Sequence, residues 1–102
     1  MIIVHDTFVC KPGNASKLAK LFKEWIELMK KETGLGGKDY VMTDLTGQWH
    51  RVIMVSTHKS VAEWEKNFAK MPKSRKGKEL MEKFKDMNEM YVSGSREIYK
   101  VW

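Results

Sequence analysis

The chain has 102 residues, of which 31% are charged and 42% hydrophobic, with a formal net charge of +6. This length leaves too little chain for a second core, so we expect one domain over residues 1–102. No apolar run reaches the roughly 18 residues that a membrane-spanning helix needs. The basic excess between Lys66 and Lys85 is interspersed with acidic residues, as on a solvated helix surface. We therefore expect no membrane association, and the distribution of charge gives little support to nucleic-acid binding.

The N-terminal segment and the cysteine content indicate a cytosolic protein. The start, MIIVHDTF, lacks the basic segment and the cleavage site of a secretory signal. Cys10 is the only cysteine and has no partner for an intramolecular disulfide, which fits a reducing compartment. We expect Cys10 to be a small buried hydrophobe on a strand.

The first third of the chain predicts a strand followed by an amphipathic helix. Residues 2–11 are rich in β-formers and end at a Pro-Gly turn. Asn14 or Ser16 is expected to cap the helix, and Gly34 suits the left-handed position after its end. The apolar residues at helical spacing, which should form its buried face, are Leu18, Leu21, Phe22, Trp25, Leu28 and Met29.

The remainder predicts two paired strands, a broken helical region and a last strand. Residues 38–45 and 48–57 are strand-like and meet at a Thr-Gly turn. Ser60 to Glu63 form a capping box that begins a helix, and Pro72 must end or bend it. The residues expected to face inward there are Val61, Trp64, Phe68 and Met71. A further amphipathic segment over residues 74–91 precedes a closing strand after Ser93-Gly94.

Both sides of the predicted strands are apolar. In the third strand Val52 and Met54 point one way, whereas Ile53 and Val55 point the other. Two helical crossovers of one hand cover a single side of a sheet. The order βαββαβ therefore predicts an α+β fold with a four-stranded antiparallel sheet, and its uncovered side predicts a homodimer packed sheet to sheet.

Several segments together resemble the dimeric α/β-barrel superfamily, in particular its NIPSNAP-type and antibiotic-biosynthesis-monooxygenase-type members. They are the KPG turn at residues 11–13, the SVAEWE capping box at residues 60–65, the Pro-broken helical region and the closing SGSREIYKVW. The likeness runs over essentially the whole chain. It implies a ferredoxin-like subunit, a barrel made by two sheets, and a pocket between sheet and helices that in some members holds quinol-like polyketides or haem.

The resemblance argues against the haem-degrading branch. Positions of the pocket Asn, the Trp and the axial His of that branch correspond here to Asp6, Asn67 and Gly77. A haem iron needs a strong axial donor, which the stretch SRKGK does not supply, so we expect no cofactor. The resemblance also implies that Asp6 faces the pocket and that His5 faces the partner subunit.

Asp6 is the candidate catalytic residue, because an unpaired carboxylate in an apolar strand is costly. In an apolar pocket it would act as a general base on a bound ligand. The alternative is a structural hydrogen bond or an ion pair with Arg51 or Arg96.

Candidate substrate-binding residues are aromatic or cationic. Tyr40, His50 and Arg51, next to Trp49, would gather at one end of the pocket and hold an anionic or aromatic ligand. The alternative is exposure at a strand start or aromatic pairing across the sheet. Trp64 and Tyr91 are further candidates, although their helical spacing also suits the core. A metal site is not expected, because adjacent His5 and Asp6 point to opposite sides.

Three functions compete, and the sequence does not establish that the protein is an enzyme. The first is a small-molecule binder or cofactor-independent monooxygenase-like enzyme, in which a phenol or quinol substrate reduces oxygen and Asp6 is the base. The second is a dimeric stress or scaffold module without chemistry. The third is a nucleic-acid binder, which shares the βαββαβ order with the RNA-recognition fold but lacks its stacking aromatics on strand three.

Overall fold

The computed structural model describes residues 1–34, 38–46, 49–70 and 74–102. The elements in these ranges are β1 (Ile2–Cys10), α1 (Ala15–Thr33), β2 (Tyr40–Thr43), β3 (Arg51–His58), α2 (Val61–Phe68), α3 (Arg75–Phe84), a 3-10 turn (Met87–Glu89) and β4 (Tyr91–Lys100). The strands form one antiparallel sheet in the order β2-β3-β1-β4. The predicted ferredoxin-like α+β arrangement is confirmed. Within the described ranges, no helix combines the length and apolar character needed to cross a bilayer.

The core lies between α1 and one side of the sheet, which we call the helix-facing side. Paired residues on neighbouring antiparallel strands share a side, and Phe8 of β1 pairs with Val52 of β3. Val52 is fully buried with Leu18 and Phe22 of α1. Cys10 joins the same cluster, which confirms that it is a buried strand residue.

The other side of the sheet, called the open side, has no described helix packed on it. It carries His5 and Val55, which pair across β1 and β3, and Tyr40, which pairs with Val55 from β2. Tyr40 and Tyr99 are 56% and 48% exposed, far more than Val52 on the covered side. This distribution confirms that the described helices cover one side, and that Asp6 and His5 face opposite ways.

The C-terminal end of α1 agrees with the sequence prediction, whereas its N-terminal cap does not. Gly34 adopts a left-handed conformation with φ of 67° and donates its N–H to the Lys30 carbonyl. Asn14 occupies the position before the helix, but its side chain makes no capping hydrogen bond. Ser16 lies inside the helix, so neither predicted cap operates.

The second helical region is shorter and less buried than predicted. Ser60 begins α2 as expected, since its hydroxyl accepts a hydrogen bond from the Glu63 N–H at 3.1 Å. Val61 and Phe68 are 43% and 60% exposed, so the expectation that both face inward is wrong. The helical prediction up to residue 91 is also wrong, because α3 ends at Phe84.

The central strands are shorter than predicted. Among the described residues, β2 covers residues 40–43 of the run predicted over 38–45. For the run predicted over 48–57, β3 covers residues 51–58, and Trp49 and His50 form the turn before it. The predicted Thr-Gly turn and the positions of Met71 and Pro72 involve residues that lie outside the described ranges.

A β-bulge interrupts the pairing of β1 with β4. Val9 pairs with Ser93, yet Cys10 pairs with Tyr91, so Val92 is an extra residue on β4. Tyr91 thereby lies on the helix-facing side, where its ring centroid is 5.1 Å from that of Phe8. Val92 is 66% exposed.

Candidate functional site

Asp6 is the charged residue that is buried as a whole among the described residues. Asp6 is 5% exposed and lies directly opposite Arg96 on β4. The Arg96 Nε donates to Asp6 Oδ1 at 2.6 Å, and Nη2 donates to Oδ2 at 3.3 Å. The sequence analysis gave Arg51 and Arg96 as possible ion-pair partners of Asp6. The pair with Arg96 is confirmed, and the pair with Arg51 is wrong.

Two neighbouring aromatic rings of α2 contact the guanidinium of this pair. The Arg96 Cζ lies 5.0 Å from the ring centroid of Trp64 and 5.5 Å from that of Phe68. Both distances fall within the range of a cation–π contact. Trp64 and Phe68 are one helical turn apart, so the same face of α2 presents both rings. We call Asp6, Arg96, Trp64 and Phe68 the Asp6–Arg96 cluster.

The cluster is closed on one side and open on the other. The Asp6 side chain is 7% exposed, whereas that of Arg96 is 43% exposed. Phe68 is 60% exposed, so much of its ring also faces solvent. The guanidinium and the Phe68 ring are therefore the parts of the cluster that solvent reaches most.

His50 and Arg51 lie elsewhere, in a shallow depression of about 350 Å³ at the end of the sheet. The Arg51 Nε donates to Asp44 Oδ2 at 3.1 Å. His50 has a φ of 65°, in the left-handed region, and its carbonyl accepts a hydrogen bond from the Cys10 N–H. The lining residues are Gly13, Ala15, Ser16, Thr43, Asp44, Trp49, His50 and Arg51. We call this the Arg51 depression.

The other predicted binding residues are split between the two sides of the sheet. Tyr40 pairs with Val55, four positions from Arg51 along β3 and therefore roughly 13 Å away. The expected gathering of Tyr40 with His50 and Arg51 is wrong. Tyr91 packs on Phe8, and its hydroxyl donates to Asn88 Oδ1 at 3.0 Å, which favours the core alternative. Trp64 lies beside Arg96, which Asp6 holds in place.

A separate polar group lies on the open side, at His5, Glu97 and Tyr99. His5 pairs with Glu97 across β1 and β4, and the ring centroids of His5 and Tyr99 are 6.1 Å apart. The Tyr99 hydroxyl donates to Glu97, and this hydrogen bond raises the pKa of Tyr99 because ionisation would break it. These polar groups lie on the side where a second subunit is expected.

The described residues offer no candidate metal site. No group of three or more His, Cys, Asp or Glu side chains converges there closely enough to hold an ion. The Cys10 thiol is buried, and this burial raises its pKa, so it is a poor nucleophile or ligand.

The sequence did not identify Arg96 or Phe68 as site residues. Arg96 entered only as one possible partner of Asp6, and Phe68 was expected in the core. The available signal was the alternation of β4, which places Arg96 on the same side as Ile98. That side could be recognised as helix-facing only once the register of β4 against β1 was known.

No protein-family model matches the sequence, and no curated protein matches it significantly. Solved structures do match it. An uncharacterized NIPSNAP-like domain protein from Burkholderia xenovorans superposes with a TM-score of 0.74 at 14% identity, over 99% of this chain and 84% of that one. A NIPSNAP family protein from Agrobacterium tumefaciens gives 0.70 at 14% identity, over 97% and 90%.

An antibiotic biosynthesis monooxygenase gives a TM-score of 0.69 at 14% identity, over 100% of this chain and 99% of that one. At such low identity the likeness establishes the fold and not the activity. The resemblance drawn from the sequence is confirmed at that level. This chain has the ferredoxin-like fold seen in NIPSNAP proteins and antibiotic biosynthesis monooxygenases.

Proposed function

We propose that this protein binds a small molecule at the Asp6–Arg96 cluster, between the sheet and α2. The observation that carries the proposal is the half-exposed guanidinium of Arg96, which a buried carboxylate holds and two aromatic rings of α2 contact. An ion pair placed only for stability gains little, because apolar residues of similar volume often stabilise a protein equally well. Its position beside two aromatic rings supports a role in ligand recognition.

The fold neighbours support this proposal in a general way. They include proteins described as NIPSNAP and as antibiotic biosynthesis monooxygenase, two groups with one architecture and different names. Because one fold carries both groups, the function of this chain has to be argued from its own site and not from the fold.

The finer version of the proposal is a cofactor-independent oxygenase acting on a phenol or quinol. In overall balance, a phenol and one O₂ would give a quinone and one water, with all four electrons supplied by the substrate. Asp6 would accept the phenolic proton, which leaves in the water formed. Because Asp6 is bonded to Arg96, this role requires the guanidinium to move away from the carboxylate or the phenol to bind beside it.

A second candidate is a dimeric module without chemistry. The ion pair between Asp6 and Arg96 favours it, since both carboxylate oxygens already accept hydrogen bonds from the guanidinium. Both candidates include a homodimer formed through the open side, where apolar side chains such as Ile53 and Val55 have no described cover. A cytosolic location stays a prediction from the sequence.

Nuclear magnetic resonance titration of ¹⁵N-labelled protein with aromatic fragments tests the binding proposal. We expect the shifted amide and side-chain signals to concentrate at Asp6, Trp64, Phe68 and Arg96. Shifts concentrated at Trp49, His50 and Arg51 would move the site to the Arg51 depression. A panel that shifts neither set would contradict small-molecule binding altogether.

Oxygen uptake with 1-naphthol, a phenol that would give a naphthoquinone and one water, tests the finer version. An oxygenase should consume oxygen above the rate in buffer, and Asp6→Asn should return that rate to the buffer value while the fold remains intact by circular dichroism. Equal uptake by both proteins would exclude Asp6 as the base. No uptake above buffer by the unmodified protein, with fragment binding intact, would favour the module without chemistry.

A further inference from the structure

We propose that Arg96 binds the ligand directly and that the ligand is a planar aromatic carboxylate. The inference rests on the proposed binding site and adds two things to it: the residue that makes the polar contact and the chemical class that the residue selects. For this ligand Asp6 is a positioning residue, which holds Arg96 without touching the ligand, in place of the base role that the oxygenase version gives it.

The hydrogen bonds of Arg96 leave one edge of its guanidinium available. A guanidinium carries five N–H donors in a plane and can bind a carboxylate through either of two edges. The edge formed by Nε and Nη2 is taken by Asp6. The edge formed by Nη1 and Nη2 has no partner within the part of the chain that the structure describes, and the side chain is 43% exposed. A second carboxylate can therefore bind there with two parallel hydrogen bonds.

Asp6 and the two rings fix this free edge before a ligand arrives. Asp6 is buried in the sheet strand directly opposite Arg96, so it holds the guanidinium from beneath. Trp64 and Phe68 contact the guanidinium from α2. An arginine that is already ordered loses less side-chain entropy on binding, which raises its affinity for a carboxylate.

Exposed apolar surface beside Arg96 favours a ligand with a flat ring. Phe68 is 60% exposed, and Ile98, the next residue on the helix-facing side of β4, is 42% exposed. An aryl group that packs on these side chains removes apolar area from water while its carboxylate meets the arginine.

The free edge of Arg96 favours an anion over a neutral molecule. An amide of the same shape as the acid would forgo the charge-assisted hydrogen bonds that a carboxylate accepts from this edge.

The test compares a carboxylate with its neutral amide. We would titrate ¹⁵N-labelled protein with 2-naphthoate and with 2-naphthamide and follow the signals of Trp64 and Phe68. For the unmodified protein we expect the acid to bind at least about tenfold more tightly, as for a hydrogen bond to a charged group. Arg96→Gln should abolish that preference, and Arg96→Lys should keep only part of it, because an ammonium cannot form the two-point contact.

Two further variants make the result specific. Arg75→Gln removes an exposed arginine of α3 that pairs with Glu79, and it should leave the preference unchanged. Asp6→Asn should weaken binding of the acid while keeping its preference over the amide, because Asp6 aligns Arg96 but supplies no contact. A preference lost in Asp6→Asn as completely as in Arg96→Gln would contradict the positioning role.

The outcomes separate this inference from the proposed site. If the amide binds as tightly as the acid and still shifts the signals of the cluster, the ligand class is wrong and the site stands. If Arg96→Gln keeps the preference for the acid, Arg96 is not the binding residue. If neither probe, nor any fragment of the wider panel, shifts the cluster, both the inference and the site are wrong.

Discussion

Asp6 and Arg96, 90 positions apart in the chain, lie directly opposite each other on β1 and β4 and form a two-point ion pair. The buried partner is the acid, with a side chain that is 7% exposed against 43% for the arginine. The two ends of the pair therefore respond differently to mutation.

Removing Arg96 should destabilise the fold more than removing the charge of Asp6. Arg96→Met leaves a buried carboxylate without a partner and should cost about 3–5 kcal/mol. Asp6→Asn leaves an arginine that water can reach and should cost about 1–3 kcal/mol. Urea unfolding measures both, and the double variant should recover part of the larger loss. A larger loss of unfolding free energy for Asp6→Asn than for Arg96→Met would contradict the view that the acid is the buried partner.

The two serine caps should contribute equally to stability but unequally to binding. Ser60 and Ser74 each accept a hydrogen bond from the third residue of their helix, at 3.1 and 3.0 Å. Replacing either with Ala should lower the free energy of unfolding by about 1 kcal/mol. Ser60→Ala should also weaken aryl acid binding, because α2 presents Trp64 and Phe68 and has no buried residue among those described to anchor it. Equal binding by both variants would show that the cap does not support the cluster.

Tyr99 should titrate at higher pH than an unperturbed tyrosine. Its hydroxyl donates to Glu97, and both the lost hydrogen bond and the nearby negative charge oppose ionisation, so its pKa is raised. The difference in ultraviolet absorbance between the protein and Tyr99→Phe isolates this phenolate during titration. Glu97→Gln should move the transition to lower pH. An unchanged transition would mean that the contact with Glu97 does not persist in solution.

The single thiol should be protected in the native protein. Cys10 is 3% exposed, and burial raises its pKa, so little reactive thiolate forms at neutral pH. We expect an aromatic disulfide reagent to label it slowly in buffer and rapidly in concentrated urea. Fast labelling of the native protein would place Cys10 nearer the surface than the core of β1 allows.

The open side should hold a second copy of the chain. Ile53 lies on this side, paired with Thr7 and Met42. We expect light scattering to give the mass of a dimer, and Ile53→Lys to give a monomer because a charge would be buried between two sheets. Ala62→Lys, at an exposed position of α2, adds the same charge and should leave the dimer intact. A monomeric unmodified protein would overturn the proposed interface.

Local patterns predicted the long elements of this fold well. The apolar spacing of α1 identified Leu18 and Phe22, which are buried, and Gly34 marked its end. The end of α3 was harder, because Tyr91 satisfies both the helical spacing and the alternation of a strand. Pairing with Cys10 across the sheet decided in favour of the strand.

The candidate site depended on contacts between distant segments. The burial of Asp6 and its need for a partner followed from its apolar strand, but the choice between Arg51 and Arg96 depended on the register of three strands. Phe68 showed the helical spacing of a core residue and lies instead against Arg96. Periodicity indicates which face of a helix is apolar, and it does not identify what that face contacts.

The bulge at Val92 governs how this chain can be aligned with its structural neighbours. In the absence of the extra residue, Val92 would oppose Cys10 and Tyr91 would turn towards the open side. Odd-numbered residues of β4 therefore face the helices before position 92 and the open side after it. A pairwise alignment with a sheet that lacks this bulge, made without a gap at this point, assigns Tyr91 or Arg96 to the wrong side, so the two segments of β4 need to be matched separately.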